Sequence, residues 1–263
     1  MLEKLGIKRL AYDYRAEHIP TFDAEVEAMK KRGIEMTAWW FPSALNDEAR
    51  KILKVIERHK IQPQLWVMGG GGSPKDEAEQ AVLVDREVAR FRPIAEGARR
   101  LGCKVALYNH GGWFGEPENQ IAIIERLKAD GLHNVGIVYN FHHGHDHLER
   151  FPQMWKTMHP YLIAVNLNGM IKDGDKRGKK ILNLAEGDQE LEMMRVIRDS
   201  GWRGPVGIID HRSELDAEVA LQENLRGLDW LTEQLAQPGS GGTNPGVPLR
   251  PRDGREGDVS TKP

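Results

Sequence analysis

Disulfides, membrane spans and a strong charge of either sign are all missing from this sequence, and each absence removes a class of protein. The only cysteine is Cys103, so no disulfide framework exists within the chain. At the head of an apolar run, a lone cysteine reads as a small buried hydrophobe. The lack of disulfides fits a reducing compartment, although a chain of this size needs none to fold elsewhere. No apolar stretch approaches the roughly 18 residues that span a bilayer, which argues against a helical membrane protein. The formal net charge of −2 offers a polyanion no electrostatic target, so nucleic acid is not an expected partner. Met1 to Gly6 (MLEKLG) lacks the apolar centre of a signal peptide. Localisation stays open between the cytoplasm and export, the latter if a leader precedes Met1.

What is present is a repeat of short apolar runs, each ending in polar or aromatic residues and followed by a helical stretch. Seven such runs occur: Ile7 to Tyr14, Ile34 to Phe41, Gln62 to Met68, Cys103 to His110, Val135 to Asn140, Leu162 to Asn168 and Pro205 to Asp210. Their ends recur roughly every 27 to 42 residues, the period of one βα unit, which predicts an α/β protein with a parallel sheet. At 263 residues the chain has the size of a single (β/α)8 TIM barrel. No eighth run is found. Leu2, Leu5 and Gly6 read as the last turn and cap of a helix, so the expectation is a barrel whose first strand lies upstream of Met1.

Helices are predicted over Phe22 to Lys31, Asn46 to His59, Asp76 to Leu101, Pro117 to Ala129, His147 to Met158, Gln189 to Ser200 and Ala217 to Leu235. Thr21 and Asn46 stand where N-caps belong, and Gly33, Gly102, Gly131 and Gly201 where helices close. The barrel domain therefore covers 1–236. Residues 237–263, rich in Gly, Pro, Ser and charge, read as a disordered tail or linker.

In such a barrel the chemistry sits at the strand ends. These offer Asp13 to Arg15, Trp39 to Phe41, Gly69 to Gly72, Tyr108 to His110, Asn140 with His142 and His143, Asn166 with Asn168, and Asp210 to Arg212. Aromatic faces, amides, imidazoles and two carboxylates at one mouth suit a carbohydrate, because rings pack on sugar C–H surfaces while polar groups divide the hydroxyls. Trp39 and Trp40 point to opposite sides of their strand; one belongs to the core, and the other, taken as Trp40, is a candidate for the mouth. Asn166 and Asn168 flank Leu167 and so share a face, which polar partners make the mouth. The glycines after Met68 match neither GxxxxGKS/T nor GxGxxG and read as a flexible loop or lid. His142 to His147 (HHGHDH) suggests metal, with a solvated loop as the rival reading and Asp146 or His147 as a cap for the next helix. The basic loop Lys172 to Lys180 reads first as a solvated charge run, and second as a phosphate contact.

"YNH" at Tyr108 to His110, "VGIVYNFHH" at Val135 to His143, "AEGD" at Ala185 to Asp188 and "GWRGPVGIIDH" at Gly201 to His211 resemble the xylose isomerase-like TIM barrel superfamily, which holds sugar and sugar phosphate isomerases and epimerases. The resemblance covers about 1–236. It implies a divalent metal held by a glutamate, an aspartate with a histidine shortly after it, a histidine and a second glutamate. In this chain those positions fall on Tyr108, on Asn140 with His143, on Asn166, and on or beside Asp210. Only His143 and Asp210 remain ligand types, since a divalent cation prefers carboxylates and imidazoles.

The resulting expectation is a sugar isomerase or epimerase acting by proton abstraction beside a carbonyl, with an altered or absent site for a divalent metal (Zn, Mn, Co or Mg). A keto-sugar lyase or hydrolase is a variant of it. His110 and Asp210 are the expected acid/base pair, His142, His143 and His211 the candidate metal ligands, and Trp40, Asn109, Asn140, Asn166 and Asn168 the substrate contacts. The alternative is a non-catalytic carbohydrate-binding barrel serving as a module of a larger protein. The expected partner is a small carbohydrate, with neither nucleic acid nor membrane, and nothing in the sequence opposes an oligomer.

Overall fold

Seven strands form one parallel sheet in sequence order in the computed structural model, which describes residues 1–212 and 214–246. They are β1 (Arg9–Tyr12), β2 (Glu35–Phe41), β3 (Gln64–Met68), β4 (Val105–Tyr108), β5 (Val135–Asn140), β6 (Leu162–Leu167) and β7 (Val206–Ile208). Each neighbouring pair is parallel, and β1 and β7 pair on one side only. The sheet is thus a TIM barrel short of one strand. Strand order equal to chain order follows from right-handed crossovers that each advance the sheet by one position.

The crossovers are α1 (Phe22–Lys31), α2 (Asp47–His59), α3 (Glu77–Arg100), the single turn α4 (Gly112–Gly115), α5 (Pro117–Ala129), α6 (Phe151–Met158), α7 (Glu190–Asp199) and α8 (Ala217–Ala236). Among the described residues no helix is long and apolar enough to cross a membrane. Local chemistry sets most boundaries. The Asn46 side chain accepts from Ala49 N at 2.8 Å and the Asp76 side chain from Glu79 N at 2.9 Å, each satisfying a backbone donor left free at a helix start. Gly33, Gly102, Gly131 and Gly201 all take left-handed φ at the helix-to-strand junctions, where a side chain would be strained. Thr21 does not cap α1. Its hydroxyl bonds back to His18 O at 3.0 Å, because a 3-10 turn over Ala16–Thr21 leads directly into the helix.

Alternation along the strands separates two apolar layers. Trp39, Phe41, Leu65, Val67, Val105, Leu107, Ile137, Tyr139, Val165 and Leu167 face outward against the helices, in one large core with Phe22, Ile52, Phe91 and Trp155. Ala38, Trp66, Ala106, Tyr108, Val138 and Ala164 face inward with Trp40 and Ile163 beside them. Small residues low in the barrel and rings near its top place the aromatic material at the C-terminal mouth. Past α8, Gly242 O accepts from Trp230 Nε1 at 3.3 Å and Asn244 Nδ2 donates to Ala185 O at 2.9 Å. The rest of the expected tail, 247–263, lies outside the described residues.

Candidate functional site

The mouth is built from the inward positions that end each strand. Trp40 and Trp66 meet edge to face at 4.6 Å between ring centroids, and Tyr108 lies 5.9 Å from Trp40. Trp66 is fixed by its indole N–H, which donates to Gln64 Oε1 at 2.9 Å. Trp39 is fully buried on the other side of the strand, against Tyr12 and Phe22. Of the two adjacent tryptophans, Trp40 is the one in the barrel interior. Burial holds the Tyr108 hydroxyl far above the ordinary phenol range, with the nearby charge of Asp13 adding to it, so Tyr108 remains a hydrogen-bond donor.

Four imidazoles gather above Tyr108. His110 and His143 are 4.5 Å apart between centroids, His142 and His143 3.9 Å, and His142 and His211 5.3 Å; Tyr108 is 5.7 Å from His143. Burial, followed by the charges of His143, His211, Lys180 and His110, pushes His142 down to about 2. Burial, followed by His110, Lys180 and His211, pushes His143 down to about 3. Both are therefore neutral at ordinary pH. His110 and His211 are exposed.

The loop that carries these histidines is not a solvated run. His142, His145 and His147 are buried. His147 does not cap α6: it accepts or donates at Tyr139 Oη (3.0 Å) and at Glu116 Oε1 (3.3 Å), bridging a buried phenol to a half-exposed carboxylate. The glycine run after β3 is likewise packed. The Phe114 ring occupies the space a side chain on Gly69 would need, Gly70 N donates to Glu87 Oε2 at 3.2 Å, and Arg86 donates to Gly71 O at 3.2 Å.

Three of the predicted asparagines form a ladder across the strand ends. Asn109 Oδ1 accepts from Asn140 N and Asn140 Nδ2, both at 2.8 Å, and Asn140 Oδ1 accepts from Asn166 Nδ2 at 2.6 Å. Gly207 on β7 makes room for it, since a side chain there would run into Asn166 Oδ1. Asn168 sits apart, under the loop that follows β6, donating to Gly169 O at 2.8 Å while its Oδ1 has no partner.

Asp210 is engaged elsewhere. It accepts from the backbone N (3.1 Å) and Nε (2.9 Å) of Arg212, from a second guanidinium nitrogen, and from Asn224 Nδ2 (3.1 Å). Burial raises its carboxyl, but the Arg212 and Asn224 hydrogen bonds outweigh this and hold it below the usual range. The structure thus brings His110, His142, His143 and His211 together with Trp40, and joins Asn109, Asn140 and Asn166, while Asp210 belongs to a neighbouring network with Arg212, Asn183 and Asn224.

Tyr108, Trp66 and Arg212 were not among the predicted contacts. Trp66 was legible in principle, as it stands two residues before Met68 and shares its inward face. Asn224 gave no signal, because its place on α8 is joined to Asp210 only through tertiary packing.

The donors at the mouth do not fit the divalent metal that the resemblance implies. Asn140 and Asn109 spend their carbonyl oxygens on the ladder, Tyr108 stays protonated, and Asp210 is neutralised by Arg212. Among the described residues no three His, Cys, Asp or Glu side chains are placed to hold a metal ion.

The fold is shared with several solved structures. It is similar to the apo form of 3-keto-D-glucoside 4-epimerase from E. coli (TM-score 0.61, 16% identity, 88% of this chain and 91% of that one). It is also similar to the IolI protein with a bound zinc atom (TM-score 0.68, 16% identity, 89% and 91%). A third similar structure is D-psicose 3-epimerase with D-tagatose from Clostridium cellulolyticum H10 (TM-score 0.61, 15% identity, 89% and 91%). No curated protein sequence matches the chain. The sequence model of one family, xylose isomerase-like TIM barrel, matches residues 21–234, most of the chain, and the protein therefore belongs to that family.

Proposed function

We propose that this barrel is a sugar isomerase or epimerase-type enzyme that moves a proton beside the carbonyl of a sugar or keto-sugar without a carboxylate base. The observation that carries the reading is the pair of imidazoles His110 and His143, 4.5 Å apart over the protonated Tyr108. Two imidazoles in unlike surroundings suit two roles. His110, exposed and able to exchange protons with water, takes the proton from the carbon next to the carbonyl and returns it to the neighbouring carbon in isomerisation. For epimerisation the proton must come back on the opposite face from a second donor, for which His211 is the candidate. His143, held neutral, and Tyr108 donate hydrogen bonds to the oxygen that gains charge in the enediolate. Trp40 and Trp66 offer faces for the sugar ring, and the asparagine ladder fixes the strand ends against which it would lie. Asp210, ionised against Arg212, acts in this scheme as a fixed counter-charge. The similarity to epimerases of keto-glucosides and ketohexoses supports the reading at the level of fold.

The test is deuterium wash-in from D2O, followed by NMR on D-psicose, D-tagatose and a 3-keto-D-glucoside. Exchange well above the buffer control is expected with at least one of them, and His110→Ala should lower it by about 10²- to 10⁴-fold, the range of general base catalysis. No exchange with any of the three sinks the proposal. A second reading, a barrel that binds a sugar without reacting, is favoured by the pairing of the strand-end carboxylates among the described residues, Asp210 with Arg212 and Asp13 with Arg15. Sugar binding by calorimetry with no wash-in would select it.

A further inference from the structure

Four of the six residues from His142 to His147 are histidines, and they divide by what their rings meet. His142 and His143 join the group above Tyr108, 6.5 and 5.7 Å from its ring centroid. The rings of His145 and His147 are taken instead by segments distant in the chain. His145 sets Nδ1 3.2 Å from Ile171 O and Nε2 3.0 Å from Lys180 O, both in the loop that follows β6. His147 sets Nδ1 3.0 Å from Tyr139 Oη on β5 and Nε2 3.3 Å from Glu116 Oε1, between α4 and α5.

The partners of His147 assign its protons. An ionised carboxylate only accepts, so Nε2–H donates to Glu116; in the neutral ring this leaves Nδ1 to accept from the Tyr139 hydroxyl. Both ends of the line suit that arrangement. Burial keeps the Tyr139 phenol protonated, far above its ordinary range. Glu116 is held below the usual carboxylate range, first by the His147 hydrogen bond and then, against its partial burial, by the charges of His147 and Arg150. Arg150 itself is shared between Glu116 and Glu118, the latter at 2.7 Å.

The line from Tyr139 to Glu116 touches the backbone next to His143. Gly144 follows His143 directly, and the Tyr139 hydroxyl occupies the space that a side chain on Gly144 would need. Gly144 N donates to Phe141 O at 2.7 Å, and Gly144 O accepts from His147 N at 2.9 Å. Two 3-10 turns, Phe141–His143 and His145–Arg150, are thus joined at Gly144 over the Tyr139 hydroxyl, with the rings of Tyr139 and His147 stacked at 6.0 Å. Short 3-10 turns have poor hydrogen-bond geometry and little rigidity of their own. Their place depends on what grips them from outside.

We infer that His147, gripped between Tyr139 and Glu116, is a positioning residue: it fixes the Gly144 peptide and so holds the His143 imidazole over Tyr108 and 4.5 Å from His110. The role rests on the isomerase or epimerase reading above, in which His143 donates to the oxygen that gains charge. Misplacing such a donor by about 1 Å is enough to cost about a hundredfold in rate.

Imidazole ¹H–¹⁵N spectra, urea denaturation and wash-in kinetics on the full chain test it. Tyr139→Phe keeps the buried ring and removes the hydroxyl. His147→Phe keeps a ring and removes both hydrogen bonds, whereas His147→Gln offers both again, its amide oxygen to Tyr139 and its nitrogen to Glu116. In the two Phe variants the His143 ring signals, identified by their loss in His143→Asn, should move or broaden in the folded protein. Their kcat for wash-in should fall about 10- to 100-fold, with KM changed by less than about twofold, and His147→Gln should recover most of it. A lower denaturation midpoint, with the His143 signals and kcat of the folded fraction unchanged, would mean a purely structural role and overturns the proposal; so does a Gln variant no better than Phe. Should His147→Phe not fold, Tyr139→Phe, which loses a single oxygen, carries the same readouts. Absent wash-in in the wild type removes the enzymatic reading, and the His143 signals of the folded variants then decide the positioning role by themselves.

Discussion

The two faces of the sheet obey different rules, although each strand contributes to both in alternation. On the outer face, Trp39, Leu65, Leu107, Ile137 and Val165 meet helices and are fully buried in the large apolar core. On the inner face β4 carries Ala106 and Tyr108 and is followed by His110, while β2 rises from Ala38 to Trp40 and β6 from Ala164 to Asn166, from small residues to a ring or an amide at the mouth. The outer layer can be satisfied by any apolar side chain of suitable volume. At the mouth each buried amide must find a particular partner. Stability should accordingly reside mainly in the first layer and specificity in the second.

The adjacent tryptophans offer the sharpest way to break this division. Trp39→Ala should cost about 3 to 5 kcal/mol of stability, the usual range for emptying a buried aromatic site, and leave sugar affinity intact in the folded fraction. Trp40→Ala, whose ring rests on Trp66 without closing the core, should cost about 1 kcal/mol and weaken sugar binding. Urea denaturation with calorimetry on both variants measures the contrast. Equal stability losses would dissolve the distinction between faces.

A smaller effect is expected at the ladder. Asn140→Leu removes the acceptor of Asn166 Nδ2 and one donor to Asn109 Oδ1. An orphaned buried amide costs about 1 to 3 kcal/mol. The change should thus destabilise the chain even though leucine is more apolar, and a stabilised variant would show that the ladder carries no weight.

An effect of similar size, about 2 kcal/mol between pH 7 and 5, is the pH dependence from His142. Its folded value, about 2, lies below the unfolded one near 6.5, so between the two the unfolded chain binds the proton and the folded one does not. Stability from this group is fully present at neutral pH and falls on acidification through about 6.5, by roughly 1.4 kcal/mol per pH unit. Denaturation midpoints at pH 7, 6 and 5 should decline, and His142→Leu should make the decline shallower, with His143 supplying the remainder. A wild-type profile level over that range would mean the imidazole is not buried in neutral form.

Much of the frame was legible before any coordinates. Strand β5 and helices α1 and α5 have the bounds their apolar periods predict, and Asn46 caps as its position suggests. These features depend on hydrogen bonds between residues a few positions apart. Where local reading went astray, a distant partner had taken the group. His147, expected to cap α6, is claimed by Tyr139 and Glu116, and the glycine run expected to be flexible is sealed by Phe114 and Glu87.

The site divides along the same line. Alternation within β6 put Asn166 and Asn168 on one face, but it could not show that Asn166 would be spent on Asn140 while Asn168 Oδ1 stayed unpaired. Likewise, the sequence offered Asp210 and Arg212 as neighbours without revealing that the Arg212 ion pair and a hydrogen bond from Asn224 together occupy Asp210. By itself, the sequence determined that strands and helices alternate, where each strand ends to within about two residues, and which residue types arrive there, because period and capping are settled within one turn or one strand. Which of those residues face one another, and which are left with a free polar atom, was decided only by the tertiary structure. The partners lie in different βα units, and the pairing energy of an amide, a carboxylate or an ammonium depends on what packs across from it and on how much water remains.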